Sequence, residues 1–198
     1  MNRPRRFDID SLRKCVTDVF ASHGFRGTSM SMLTDASGLG KQSLYNALGD
    51  KEAAYLQALE GATERHAAVT AAMQDAIDGR AAVHYFFDQL LTHCTGDDAA
   101  GNRCILTAGL MEGAESAAIA AKLQAKWHEL CMLLQDSIER GQRDGSIRND
   151  VPSSALCAVL VTLFAGLRVA ARAPTEGQSL QTTVRWVLKL LDEGSPLP

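Results

Sequence analysis

A cluster of hydrogen-bonding side chains lies around residue 44 of this chain. The members are, in chain order, Lys41, Gln42, Ser43, Tyr45 and Asn46. Gln and Asn amides pair with adenine, Lys with guanine or phosphate, and Ser and Tyr hydroxyls with phosphate. On a short helix, Leu44 and Leu48 share the buried face, which leaves the polar residues on the outer face. The cluster therefore suits contact with nucleic acid.

The thiol of Cys104 is a second candidate for chemistry. It lies beside Arg103 at the predicted start of a helix. A helix N-terminus and a neighbouring guanidinium both favour the thiolate, which is the reactive form of cysteine. Cys94, on the other side of the loop that begins at residue 95, is the obvious resolving thiol. Free cysteine is also a common small core residue, so sensing and packing both stay open.

Sequence motifs for catalysis and metal binding are missing. The run Gly38 to Lys41 fails as a nucleotide-binding P-loop, because Asp35 and Gln42 occupy the positions that require Gly and Ser or Thr. There is no Gly-x-Ser-x-Gly nucleophile elbow. The five cysteines and five histidines show no zinc-ligand spacing. We expect a protein that is not an enzyme, with no catalytic residue, metal or cofactor.

Composition favours a helical, globular chain. Of 198 residues, 46% are hydrophobic and 22% charged, with five prolines and no run of alternating β-branched residues. The first 48 residues hold seven Lys/Arg against four Asp/Glu, whereas the whole chain carries a net charge of −3. A basic N-terminal segment followed by an acidic remainder is typical of a polyanion-binding domain attached to another domain. The apolar run 155–167 is short for a membrane span and no signal peptide is evident, so we expect a cytoplasmic protein.

The apolar periodicity predicts the elements that position these side chains. A helix begins near residue 9, with Gly24 at its C-cap, and a long helix begins at Lys51 and extends to about Ile77. Two short helices between them, joined by a glycine turn at residues 38–40, form a helix-turn-helix at about 29–48. Further helices are predicted at about 80–95, 101–113, 116–141, 153–171 and 177–193. The fold class is all-α.

These residues resemble the N-terminal domain of the tetracycline-repressor (TetR) family. The resemblance covers about residues 7–66 and rests on Gly24–Ser29, Leu33, Ala36, Gly38, Lys41, Ser43–Tyr45 and Gly49–Glu52. It implies a three-helix DNA-binding domain at 7–66 and a larger helical effector-binding and dimerisation domain at 67–198. It further implies a homodimeric repressor of nearby genes, bound to a palindromic double-stranded DNA operator and released by a small-molecule effector. Gly40 departs from the family, which usually has Val there, and Leu48 replaces the usual Phe.

The resemblance also implies which residues contact DNA. Thr28 and Ser29 would contact phosphate, and Lys51 would reach the DNA backbone. Lys41, Gln42, Ser43, Tyr45 and Asn46 would face the major groove, which admits one helix. Capping by Thr28 or Ser29, packing by Tyr45 and a solvated charge at Lys51 are the alternatives. The Cys104 region is similar to a branch of the family whose members sense oxidants or electrophiles, although Arg103 stands where that branch usually has Gly.

Two further sets of residues are predicted for the second domain. Apolar and aromatic residues of the middle helices predict an effector pocket or a plain core: Phe86, Phe87, Leu90, Met111 and Trp127 beside Cys104. Few charges in this set favour an uncharged or weakly polar effector. Apolar stripes on the last two helices predict the dimer interface, with burial inside one subunit as the alternative: Leu156, Leu160, Leu163, Leu167, Leu180, Val184, Val187 and Leu191.

Two other functions compete with sequence-specific regulation. A helical interaction module that has lost DNA binding is compatible with Gly40, because glycine loosens the start of the recognition helix. A helical enzyme is disfavoured by the missing motifs. The sequence names neither the operator nor the effector, and repression is implied by the resemblance alone.

Overall fold

The computed structural model describes residues 9–95, 103–173 and 177–192. Within these ranges the backbone forms nine α-helices and one short 3-10 helix, Lys189–Leu191. The helices are α1 Ile9–Gly27, α2 Met30–Ser37, α3 Lys41–Leu48, α4 Lys51–Gln74, α5 Gly79–Thr95, α6 Ile105–Glu112, α7 Ala117–Asp144, α8 Ser153–Ala170 and α9 Gly177–Leu188. The predicted all-α class is confirmed.

The chain divides into two compact units. The N-terminal unit comprises Met1–Arg65 and Ile105–Leu123, and the C-terminal unit comprises His66–Cys104 and Gln124–Pro198. The sequence assigned one continuous segment to each domain, with the boundary after residue 66. Tertiary contacts instead group α6 and the first turns of α7 with the N-terminal helices, a pairing that chain order does not reveal.

Helix α1 forms because apolar residues recur on one face. Leu12, Val16 and Phe20 are buried in the core of the N-terminal unit, where the Phe20 ring lies edge-on to that of Tyr55 at 4.9 Å between centroids. Gly24 interrupts the helix with a φ of +71°, which glycine adopts without strain. The predicted helix end is therefore a kink, and helical hydrogen bonding resumes as far as Gly27.

The end of α4 differs from the sequence expectation by a few residues. The helix ends at Gln74, and Ile77 is 94% exposed in the link that follows. Asp78 explains the early end, because its carboxylate accepts the N–H of Ala81 at 2.6 Å and so caps α5. Side-chain capping overrides the apolar pattern that continued to Ile77.

The core of the C-terminal unit lies among α5, α7, α8 and α9. Phe87 of α5 and Leu134 and Ile138 of α7 are fully buried there. Arg140 of α7 donates to the carbonyl oxygens of Met73, Gln74 and Asp78 at 2.8–3.0 Å, which satisfies the backbone between α4 and α5.

The predicted dimer contacts require a correction. Six of the eight residues are at most 5% exposed within a single chain: Leu156, Leu160, Leu167, Leu180, Val184 and Leu191. They pack into the core of their own C-terminal unit, together with the half-buried Leu163 and Val187. The apolar stripes of α8 and α9 therefore cover the subunit's own core, because helix α5 packs against both.

Helix α8 is long and apolar enough to cross a membrane by length and composition, with a mean hydropathy of 1.8 over 18 residues. This 18-residue window is longer than the apolar run 155–167 that the sequence analysis considered. Its side chains at Leu160, Phe164 and Leu167 are buried against the rest of the C-terminal unit, which is the pattern of a core helix.

Candidate nucleic-acid interface

Helix α3 separates its polar and apolar residues as predicted. Leu44 and Leu48 are 0% and 1% exposed and anchor the helix to the core of the N-terminal unit. The outer face is polar and exposed, and consists of Lys41, Gln42, Ser43, Tyr45 and Asn46. The Gln42 amide donates to Oδ1 of Asn46 at 3.0 Å, so these two side chains are aligned one turn apart.

The turn between α2 and α3 depends on two glycines. Gly38 adopts a left-handed φ of +67° and donates its N–H to the carbonyl of Thr34 at 3.0 Å, which closes α2. Gly40 is the N-cap of α3 in an extended conformation, and no side chain caps that end. The first N–H groups of α3 are thus free of a side-chain cap, which leaves them open to an anion.

The two residues before α2 have different roles. Ser29 is exposed and caps the helix, since its hydroxyl accepts the N–H of Met32 at 3.2 Å. Thr28 is 2% exposed, and its hydroxyl donates to the carbonyl of Gly24 at 2.7 Å. The predicted phosphate contact through the Thr28 side chain does not fit this buried position, because Gly24 already accepts its only proton.

Lys51 begins α4 next to the same region. Its ammonium group lies 4.5 Å from the centroid of the Phe25 ring, a cation–π distance. The preceding Asp50 caps the helix by accepting the N–H of Ala53 at 2.9 Å. Lys51 is half-buried, so the contact with Phe25 restrains its side chain at the start of α4.

Glu112, at the end of α6, was not predicted as a site residue. Its two carboxylate oxygens accept the N–H groups of Phe25 and Arg26, each at 2.6 Å. The neighbouring Glu115 pairs with the Arg26 side chain. The kink at Gly24 frees these N–H groups from the α1 ladder, and Glu112 satisfies them. Only tertiary structure could show this role, since 87 residues separate Phe25 from Glu112.

The sequence predicts Cys104 in the first turn of a helix at about 101–113, whereas α6 begins at Ile105 and Cys104 directly precedes it. Its side chain is partly buried against the core of the C-terminal unit. Cys94 is buried at the end of α5. Burial raises the pKa of the Cys94 thiol, the nearby Arg168 guanidinium opposes that rise, and Cys104 adds to it. The two thiols therefore belong to one electrostatic environment that also contains a buried cation.

The predicted effector-pocket residues come together with one exception. Phe87 and Leu90 are buried, and Phe86 and Trp127 pack against the same core. The Phe86 and Phe87 rings meet edge-on at 5.2 Å between centroids. Met111 does not join this set: it is 65% exposed on α6 and belongs to the N-terminal unit.

One face of α8 is exposed and carries no charge. We call it the α8 outer face, and it comprises Ala155, Ala158, Val159, Thr162, Gly166 and Val169. These residues recur every three or four positions over four turns, so they form one stripe. Helix α9 adds Trp186, which is 64% exposed with the Lys189 ammonium 4.0 Å from its ring centroid. The exposed surface of α8 and α9 therefore includes uncharged and aromatic side chains.

Among the side chains that the structure describes, no group of three or more from His, Cys, Asp and Glu is placed to hold a metal ion. The site residues that the structure brings together are instead those of a polar helix surface and an aromatic core.

Comparison with known proteins supports the same interpretation. No protein-family profile matches the chain. The uncharacterized HTH-type transcriptional regulator YezE of Bacillus subtilis (strain 168) is 23% identical over 194 residues, covering 97% of this chain and all of the relative. A cysteine mutant of the TetR family transcriptional regulator CifR, solved in complex with 26-bp double-strand operator DNA, superimposes with a TM-score of 0.84 and 28% identity. That match covers 96% of this chain and all of the CifR chain.

A third comparison concerns the fold alone. The reduced form of NemR from E. coli matches with a TM-score of 0.81 at 18% identity, over 96% of this chain and all of that one. The helix order, the helix-turn-helix and these similarities agree over nearly the whole length. In fold and in sequence, the chain is similar to transcriptional regulators of the TetR family.

Proposed function

We propose that this protein is a cytoplasmic, homodimeric repressor of nearby genes that binds a palindromic operator through α3. The observation that carries the proposal is the fully polar, exposed face of α3, anchored from behind by Leu44 and Leu48. A rigid helix with hydrogen-bonding side chains on one face fits the major groove. The CifR relative was crystallised with operator DNA, which supports the same use of this surface.

Phosphate contacts hold α3 in the groove. Ser29 is exposed at the start of α2, and the uncapped start of α3 offers N–H groups to a phosphate. Lys51 adds positive charge from α4. Base contacts then come from Lys41, Gln42 and Asn46, with Ser43 and Tyr45 at the sugar–phosphate edge.

Two copies pair through the α8 outer face and Trp186. This surface replaces the buried leucines that the sequence predicted as the interface. A two-fold axis through it places the same stripe on both subunits, as a symmetric dimer requires. Pairing two half-sites about 34 Å apart then doubles the DNA contacts.

Release of the DNA depends on a small-molecule effector or on modification of Cys104. The proposal is supported by the chain connection between Cys104 and Glu112. Cys104 directly precedes α6, and Glu112 is the last residue of that helix. Glu112 holds the turn at Phe25 and Arg26 that leads into α2. Displacement of α6 by an effector or by an adduct on Cys104 would withdraw this support from the helix-turn-helix.

The experiment is electrophoretic mobility shift with the DNA upstream of the protein's own gene, read against an unrelated fragment of equal length. We expect a shift that survives competitor DNA and a footprint with two-fold symmetry. Equal binding to both fragments at physiological salt would reject sequence-specific regulation and favour the alternative, a helical interaction module with a defective recognition helix.

A further inference from the structure

Arg168 is the one charged residue of α8, and it points into the protein. It is 7% exposed, although it lies within one turn of the end of the helix. Among the described residues no carboxylate lies within ion-pair distance of its guanidinium, and its Nε has no hydrogen-bond partner. A buried cation without a counter-ion is strongly unfavourable in an apolar core.

Two other arginines of the same unit find oxygen acceptors. Arg148 is 3% exposed, and its Nε and a terminal nitrogen each donate to the Asp150 carboxylate at 2.6 Å. The half-buried Arg140 donates to three carbonyl oxygens between α4 and α5. Arg168 differs from both within the described part of the chain, since its guanidinium lies beside the Phe164 ring and not beside an oxygen acceptor.

Arg168 lies beside one member of a group of aromatic rings. The guanidinium carbon of Arg168 lies 5.7 Å from the centroid of the Phe164 ring. That ring lies 6.0 Å from Phe86 and 6.5 Å from Trp127, measured between centroids. Cys94 is near enough for the Arg168 charge to act on its thiol. A cation at one end of an aromatic cluster matches a ligand with an anionic head and an apolar body.

We propose that Arg168 and the rings of Phe86, Trp127 and Phe164 form a binding site for a small apolar monocarboxylic acid, aromatic or medium-chain aliphatic. The planar guanidinium receives the carboxylate in a two-point, charge-assisted contact. The ligand supplies the acceptors that the described residues of the protein withhold from Arg168, while its apolar body packs against the rings. The proposed ligand carries a carboxylate, whereas the sequence favoured an uncharged or weakly polar effector. The difference arises because the sequence did not show Arg168 to be buried beside the predicted pocket residues.

The inference rests on the proposed function only in naming this acid as the effector, so binding is measured first without DNA. The probes are phenylacetate, benzoate and octanoate, titrated into the full chain by calorimetry. Phenylacetamide is the neutral match for phenylacetate. The change in intrinsic tryptophan fluorescence, to which Trp127 contributes, gives an independent signal from the ring cluster.

We expect at least one acid to bind in the micromolar to millimolar range and phenylacetamide to bind at least about tenfold more weakly, since a charge-assisted contact is lost. Arg168→Met should lose acid binding by a similar factor and keep or raise the unfolding temperature, because an unpaired buried charge is removed. The matched control is Arg172→Met, which removes an exposed arginine one turn away and should bind like the wild type.

Failure of all three acids to bind, equal binding of the amide, or wild-type affinity in Arg168→Met would each overturn the site. A lower unfolding temperature in Arg168→Met, together with no acid binding by the wild type, would also overturn the site. That result would indicate that Arg168 has a purely structural role. An acid that binds through Arg168 but leaves operator affinity unchanged would confirm the site and reject its role as effector. Absence of operator binding in the ligand-free protein would instead reject the proposed function.

Discussion

The carboxylate of Glu112 accepts the backbone N–H of Phe25 at 2.6 Å, across 87 residues of sequence. Its second oxygen accepts the N–H of Arg26 at the same distance. Both donors follow the kink at Gly24, and Thr28, which closes the turn, donates to the Gly24 carbonyl. The end of α6 therefore fixes the backbone from which the helix-turn-helix begins.

This contact predicts an unusually costly substitution at Gly24. A Cβ added there would lie 2.6 Å from Oε2 of Glu112, at a φ of +71°. Backbone strain and loss of the charge-assisted hydrogen bonds together should lower the free energy of unfolding by about 2–4 kcal/mol in Gly24→Ala. Urea denaturation measures the change.

Gly113→Ala is the control for strain alone. Gly113 has a φ of +80° with nothing within 4 Å of the added carbon, so the expected loss is about 1–2 kcal/mol. Glu112→Ala removes the hydrogen bonds without strain, and should weaken operator binding along with stability. Equal losses in the two glycine variants would show that the Glu112 contact contributes nothing.

Lys41→Ala and Tyr45→Ala should each weaken operator binding without changing stability, because both side chains are exposed on α3. If Lys41 contacts phosphate, the slope of log affinity against log salt should fall by about one unit. Fluorescence anisotropy at several salt concentrations gives both quantities. Lys14→Ala removes an exposed lysine of α1 and serves as the charge-matched control, and wild-type affinity in both α3 variants would remove the groove assignment.

Charge on the α8 outer face should produce monomers. Thr162→Glu and Val169→Glu place a carboxylate on an exposed, uncharged stripe, where the facing copy would bury it without a partner. Analytical ultracentrifugation should show the wild type as a dimer at micromolar concentration and both variants as folded monomers with poor operator affinity. Ala125→Glu, exposed on α7, is the control; a monomeric wild type would contradict the dimer proposal.

A quinone should release the wild-type protein from its operator if Cys104 is the sensor. Addition of the Cys104 thiolate to the quinone places bulk directly before α6, which carries Glu112. Cys104→Ser should bind DNA normally and ignore the quinone. Cys157→Ser should still respond, because burial raises the pKa of the Cys157 thiol to about 11 and keeps it protonated and unreactive at neutral pH. Identical release of all three proteins would make Cys104 a packing residue.

Stability should fall as the pH drops below about 6.5, the ordinary pKa of histidine. Burial lowers the pKa of His84 in the folded chain, the Arg80 charge lowers it further, and nearby carboxylates oppose both. Protonation is then harder in the folded than in the unfolded state, so the contribution of His84 to stability is complete above about pH 6.5 and decreases as the pH falls towards the lowered pKa. His84→Gln should reduce the loss between about pH 7.5 and 5.5 in urea denaturation, whereas His128→Gln, exposed on α7, should retain it.

The sequence by itself determined the local features of this protein. The spacing of Leu44 and Leu48 placed the polar residues of α3 on the outside, because a helix of about 3.6 residues per turn fixes which side chains share a face. Gly38 marked the end of α2, and Gly24 marked an interruption of α1, since a positive φ favours glycine. The family motif and the helix order follow from the same short-range rules.

Only the tertiary structure decided which faces are covered and which polar groups find partners. The leucines of α8 and α9 predicted an interface, yet most of them are buried in the core of their own chain, because an apolar stripe does not specify what buries it. The Thr28 hydroxyl donates to the Gly24 carbonyl, and Glu112 of α6 accepts a backbone N–H of α1. Arg168 marked the end of an apolar run in the sequence, but burial without a counter-ion is a property of the packed helices around it. Contacts between distant segments carry no periodicity, and for that reason the chain order could not reveal them.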